Sequence, residues 1–263
     1  MMFFSTIEPV FYLLPFVGFT VGVFGTMLGG GGGFFFLPVL TLGLKIPVQT
    51  AVITALVATL PICIVGFLGH LRTGNVNAKI GVLLSIFGII GAFVGTWVTG
   101  MITAGQLKVS FGIYTILIAL NIIISTRQEA RNTDSKKEKH KALRMTKSGF
   151  LAFTAGIITS TFGTSGTAPI LASLFNLQIP VKVVIGSSLL VILVNTLFAI
   201  STHFFVSSID LTLVGLLTIG SVTGAVIGTK LLAKSNIEKS GNSVKYIYVF
   251  VMVVIGILMI TGK

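Results

Sequence analysis

The stretch TMLGGGGGFFFLP, residues 26–38, sets five consecutive glycines, Gly29, Gly30, Gly31, Gly32 and Gly33, inside an otherwise apolar run. Each glycine costs about 1 kcal/mol relative to alanine in a helix interior, so five in a row will not hold a regular helix. Backwards from the tract, residues 9–28 are mostly apolar and long enough to cross a bilayer, which takes about 20 residues. Forwards, residues 34–44 are apolar but too few to cross alone. Unwound backbone at membrane depth is tolerated only where it is buried in protein or lines a water-filled cavity. The tract therefore predicts a broken helix pair whose short second member, starting near Phe34, points its N-terminus at such a cavity. Free N–H groups and the positive end of the helix dipole make that a place for an anion. The competing reading is close helix packing through small residues.

The remainder of the chain reads as membrane protein. Of its 263 residues 54% are hydrophobic and only 9% charged, with a mean hydropathy of +1.04. Soluble domains carry about 25% charged residues, so lipid must be the solvent for most of this chain. Apolar runs fall at approximately 9–28, 34–44, 48–71, 77–102 and 106–125, then at 148–162, 167–177, 181–204, 211–233 and 244–262.

These two sets of five are repeats. A shift of 133 carries Pro47 to Pro180, His70 to His203, and Gly91, Ala92, Gly95 and Thr96 to Gly224, Ala225, Gly228 and Thr229. One residue of slippage matches Phe16, Phe19, Thr20 and Gly22 to Phe150, Phe153, Thr154 and Gly156. The predicted organisation is an N-terminal repeat over 1–125, a basic linker over 126–147 and a C-terminal repeat over 148–263. The second repeat has its own break at Gly163, Thr164, Ser165, Gly166 and Thr167, again before a short helix, and it adds hydroxyl donors to backbone ones. Paired broken segments are a sequence pointer to a transporter site near the bilayer midplane.

Charge orients the halves. The net charge of +12 resembles a nucleic-acid signal until located: the basic residues concentrate between Arg127 and Lys147, and most of the others sit at the ends of apolar runs. That is a positive-inside pattern and not a phosphate-tracking stripe, so no nucleic-acid partner is expected. With 126–147 in the cytoplasm, 72–79 and 230–245 also fall inside, while 205–210, with Asp210 and no basic residue, falls outside. This requires an odd number of segments per half. The expected fold is thus an all-α integral membrane protein of two inverted-topology repeats. Each repeat has a re-entrant or broken helix pair plus three spanning helices, and both chain ends face outside. Cys63 is the single cysteine, which excludes an internal disulfide, and the N-terminus lacks the positively charged region of a cleavable signal peptide.

Other polar residues within the apolar runs are candidate ligands. Thr54 matches Ser187, and Ser188 and Asn195 lie further along the same helix. Each could donate to a ligand or bond back to its own helix. The matching His70 and His203 could relay protons or merely anchor helix ends. All six carboxylates, Glu8, Glu129, Asp134, Glu138, Asp210 and Glu238, fall in loops or at helix ends. No catalytic set, metal-ligand cluster or cofactor motif is present. The expectation is therefore a non-enzyme without cofactor, whose partners are the lipid bilayer and a small anionic substrate, with a second copy of the chain as a further candidate.

The ordered set Gly29 to Phe34 with Pro38, Pro47 leading into Ala51 to Leu56, His70-Leu71-Arg72 and Gly74-Asn75-Val76 resembles the TauE/SafE (TSUP) family of sulfite and organosulfonate exporters. Pro180, Gly186-Ser187-Ser188-Leu189 and His203 repeat the pattern. The resemblance implies a multi-pass inner (plasma) membrane transporter that exports sulfite, an organosulfonate or a related sulfur-containing anion. An anion channel and a non-transporting membrane scaffold are the rivals. Three departures stand out: Gly-Thr-Ser-Gly-Thr in place of consecutive glycines at the second break, Asn77 where an acid is common, and Ile53 where glycine is common.

Overall fold

The computed structural model describes residues 2–6, 8–131, 141–204, 207–234 and 237–262. Among them are ten α-helices. A 3-10 turn, Pro9–Leu13, leads into α1, Leu14–Met27, and α2, Gly33–Pro38, is prolonged by a π-helical turn, Val39–Gly43. Then come α3, Val48–Arg72, α4, Ala78–Met101, and α5, Ala104–Arg131. The second set is α6, Lys141–Phe162, α7, Thr167–Asn176, α8, Val181–His203, α9, Leu211–Lys234, and α10, Ile237–Thr261. Two-residue strands β1, Met2–Phe3, and β2, Ile209–Asp210, pair in parallel. Six of the described helices are long and apolar enough to cross a membrane. The chain is an all-α multi-pass membrane protein.

Its helices are apolar all round because their two faces meet different apolar media. Along α4 the exposed residues are large, Val82, Ile86, Ile90, Phe93 and Trp97, at helical spacing. The buried face carries mostly small ones, Gly81, Ser85, Gly88, Gly91, Ala92 and Gly95, with Leu84 the large exception. Lipid is as apolar as leucine, so burying large side chains gains little there, and small residues that admit a neighbouring backbone drive association instead.

Helix extends into the stretch read as a linker. Helix α5 runs on to Arg131 and α6 already begins at Lys141, so helix enters the basic stretch from both sides. Arg127, Gln128, Glu129 and Ala130 are good helix formers, and an established helix gains a bond for each residue added. Apolar length alone therefore underestimated it. Residues 132–140, and with them the centre of the linker, lie outside the described residues.

The 133-residue correspondence is carried into the backbone. Pro47 and Pro180 begin α3 and α8 with φ of −53° and −54°. Among the described residues the two non-glycine ones with positive φ, Lys45 and Gln178, are 133 apart and follow the short return helices. Asn77 Oδ1 accepts the Ile80 N–H at 3.2 Å, and Asp210 Oδ1 accepts the Leu213 N–H at 3.4 Å. Contacts between the halves pair up as well. The Asn77 N–H donates to Ser187 Oγ at 2.8 Å, and its counterpart, the Asp210 N–H, donates to Thr54 Oγ1 at 3.4 Å.

Packing crosses the repeats throughout. Helix α1 lies against α9 and α6 against α4, while α3 meets α8 and α5 meets α10. At the first two interfaces glycine is obligatory. A Cβ on Gly91 would collide with the Phe153 carbonyl, and one on Gly224 with the carbonyl of Phe19. Gly105 and Gly215, by contrast, face open space. Gly91→Val and Gly224→Val should each cost about 1–3 kcal/mol or more, as overpacking does. Thermal unfolding in detergent should show both drops, with Gly105→Ala and Gly215→Ala close to wild type.

Candidate functional site

The first break begins where α1 ends at Met27. The Gly25 carbonyl accepts both the Gly30 and the Gly31 N–H, at 2.8 and 3.1 Å, closing the helix end. Gly29, Gly31 and Gly32 then take φ of +68°, +62° and +79°, a region that residues with a side chain rarely enter. The second break turns through Gly163 and Gly166, with φ of +65° and +53°. Both breaks are buried.

The two breaks touch each other. Ser165 Oγ accepts the Gly33 N–H at 3.1 Å. Thr167 Oγ1 donates to the Gly30 carbonyl at 3.0 Å, and Ser188 Oγ lies 2.7 Å from the Gly29 carbonyl and 2.7 Å from that of Ile185. The Cys63 thiol and Ile192 crowd Gly31. In this arrangement one N–H at the start of α2 is occupied by the opposite break.

Thr164, beside these contacts, is 2% exposed, and its Oγ1 has no partner. It borders a cavity of about 10 Å³, room for about one water, together with Ser165, Thr167, Phe34 and Tyr114. Aromatic rings back the cavity: Phe34 and Phe162 each lie against Phe111, with centroids 5.5 and 5.6 Å apart.

The other residues singled out in the sequence lie elsewhere. Thr54 and Ser187 are buried and hold the loop backbones at Asp210 and Asn77 described above. Asn195 is fully buried in α8 against Gly88 of α4, and neither of its amide atoms has a partner. Thr196 Oγ1 beside it is unpartnered too. His203 Nε2 is 2.7 Å from the Ser160 carbonyl. His70 lies beside the backbone of Thr26, which matches Ser160 with one residue of slippage.

A larger cavity was not foreseen. Its volume is about 180 Å³, and Gln49, Thr96, Thr99, Ile102, His203 and Ser207 line it at the ends of α3, α4 and α8. One signal was present in the sequence: Gln49 aligns with Lys182 at the repeat offset, a place where the halves differ in charge. Among the described residues no three His, Cys, Asp or Glu side chains converge to hold a metal ion.

The profile of the family described as "Sulfite exporter TauE/SafE" matches residues 14–259. The chain is 28% identical over 228 residues to the probable membrane transporter protein YdhB of Bacillus subtilis, covering 83% of this chain and 89% of that protein. It is 23% identical over 269 residues to the probable membrane transporter protein YunE of the same organism, covering 95% and 97%. A probable membrane transporter protein of Xylella fastidiosa is 28% identical over 228 residues, covering 85% and 84%. No solved structure matches the chain. Broken helices meeting at buried glycines, in a multi-pass chain matched almost end to end by this profile, lead to one assignment: the chain belongs to the sulfite exporter TauE/SafE family of membrane transporters.

Proposed function

We propose that this transporter exports sulfite, an organosulfonate or a related small sulfur-containing anion from the cytoplasm by alternating access at the meeting point of the two breaks. The observation that carries the reading is the pair Gly33 N–H and Ser165 Oγ, next to the unpartnered, buried Thr164 hydroxyl. An oxyanion entering here takes the place of Ser165 as acceptor for the Gly33 N–H, and the freed Ser165 and Thr164 hydroxyls donate to it. Backbone N–H groups can hold one negative charge without the desolvation cost of a buried cation. In the present arrangement the breaks serve as each other's ligands, so this is a closed state.

The domain reading is an N-terminal repeat over 1–125 and a C-terminal repeat over 148–263, of opposite topology, in the plasma (inner) membrane. The paired contacts Asn77 with Ser187 and Asp210 with Thr54 support it, since they join one repeat's loop to the other's helix in both directions. Export needs no coupling ion in principle. A monovalent anion leaving a cell at 100 mV, inside negative, gains about 2.3 kcal/mol, or roughly a 50-fold gradient.

In proteoliposomes, Gly31→Val should abolish sulfite and sulfonate flux, because a side chain at φ +62° meets Cys63, Ile192 and Ser165. Thr164→Val should weaken substrate binding by about 1–3 kcal/mol while leaving thermal stability unchanged or raised, since that hydroxyl has no partner to lose. Lys45→Gln and Lys182→Gln should alter rates only modestly. Flux lost with the lysines and kept with Gly31→Val would overturn the assignment of the site.

Orientation has its own check, in a background with Cys63 replaced by alanine. An impermeant thiol reagent applied to intact cells should label Ser208→Cys and miss Thr73→Cys. The reverse pattern would overturn the proposed topology.

A further inference from the structure

The 180 Å³ cavity lies apart from the breaks, at the ends of α3, α4 and α8 on the face that carries the β1–β2 pair. Its polar wall is made by Gln49, Thr96, Thr99, His203 and Ser207. His203 is only 1% exposed, and its two ring nitrogens differ. Nε2 faces the Ser160 carbonyl at 2.7 Å, and a carbonyl can only accept, so Nε2 carries a hydrogen. Nδ1 has no partner. A neutral ring therefore offers a bare lone pair at Nδ1, and a second proton there turns the site into a cationic donor.

The helices packed against α8 supply no fixed charge at this end to compensate. They are α1, α3, α4, α6 and α7, and α1 carries no ionisable residue. Their ionisable side chains, apart from the central Cys63, are His70 and Arg72 of α3, Lys79 of α4, and Lys141, Arg144 and Lys147 of α6, all at the opposite ends of those helices; α7 has none. Lys182 of α8 itself is likewise at the far end. The nearest acid along the chain, Asp210, keeps its charge but accepts the Thr212 and Leu213 N–H groups on Oδ1 and makes no contact with His203 Nδ1, which has no partner. A protonated His203 would be a lone buried cation, which is costly unless paired. An anion in the cavity supplies the pair.

We infer that this cavity is a second oxyanion-binding site, filled by the anion and a proton on His203 together. Gln49 contributes amide donors, and the Thr96 hydroxyl is close enough to Ser160 (2.6 Å) and Thr202 (2.7 Å) to shift its hydrogen bond toward the guest. Thr99 reaches the Thr161 carbonyl at 3.4 Å, which links the cavity wall to the segment leading into the second break. The site thus rests on the export reading as a staging post on the same route, where a proton is bound and released with the anion's arrival and departure. Affinity must rise as pH falls, because the proton-loaded ring is the one that binds.

Methanesulfonate is the probe, because its own charge does not change across about pH 5 to 8, where imidazole titrates. Calorimetric binding to the purified full chain, in two buffers of different ionisation heat, counts the protons taken up. Wild type should take up close to one proton per anion at the cavity. His203→Gln keeps an amide donor for the Ser160 carbonyl but cannot take a proton. It should lose the proton uptake and weaken binding about tenfold or more. Gly100→Phe is a second route, since Gly100 lines the cavity and has nothing within 4 Å of a Cβ. It should block the site without harming the fold. Wild-type affinity and proton count in both variants would overturn the inference and leave the export reading intact. A wild-type protein that binds the probe with its proton yet moves no sulfur oxyanion in liposomes would sink the export reading and leave this site standing.

Discussion

A backbone N–H or C=O facing hydrocarbon without a partner costs several kcal/mol, and each helix break frees several of them at once. In this fold the cost is met by bringing the two breaks together. Ser165 covers the Gly33 N–H, Thr167 reaches the Gly30 carbonyl, and Ser188 lies against that of Gly29. All three contacts join one half of the chain to the other, so neither break is satisfied by its own half alone. The close helix contacts around them follow from the same demand. The breaks can meet only if α1 and α6 approach their neighbours at glycine distance, which is why Gly91 and Gly224 tolerate no side chain.

The halves are similar without being equal, and the differences fall at the polar interior. Ser188 corresponds to Ala55, Thr196 to Cys63 and Asn195 to Ile62. The second half therefore brings more hydroxyl and amide groups to the centre, while the first brings glycine backbone. A symmetric scaffold with an asymmetric lining fits a carrier that handles its substrate differently at its two faces.

Much of this was legible in the sequence because the signals were local or periodic. Five glycines cannot stay helical, apolar run lengths mark spans, and a fixed offset of 133 marks a repeat; each is readable without knowing what touches what. The role of Thr54 was not readable, because a buried hydroxyl has the same sequence signature whether it holds a ligand or, as here, the Asp210 N–H. Nor was the larger cavity, which is a gap between α3, α4 and α8 assembled from residues that are individually ordinary. The direct contact of the breaks lies between these cases. That each half carries a break followed from the repeat, whereas the occupation of the Gly33 N–H by Ser165 depends on distances that only the folded chain has.

The partnership of α1 with α9 bears on how such a chain is made. Helix α1 is complete at Met27, but the helix whose carbonyls its glycines accommodate begins about 180 residues later, at Leu211. At about 5–20 residues per second, α1 waits roughly 10–40 s for α9, and its bare glycine break roughly 6–30 s for its partners, to leave the ribosome. During that interval the unpaired backbone needs a wet or chaperoned surrounding, such as the insertion machinery itself. The last helices of the chain thus decide whether the first ones were placed correctly.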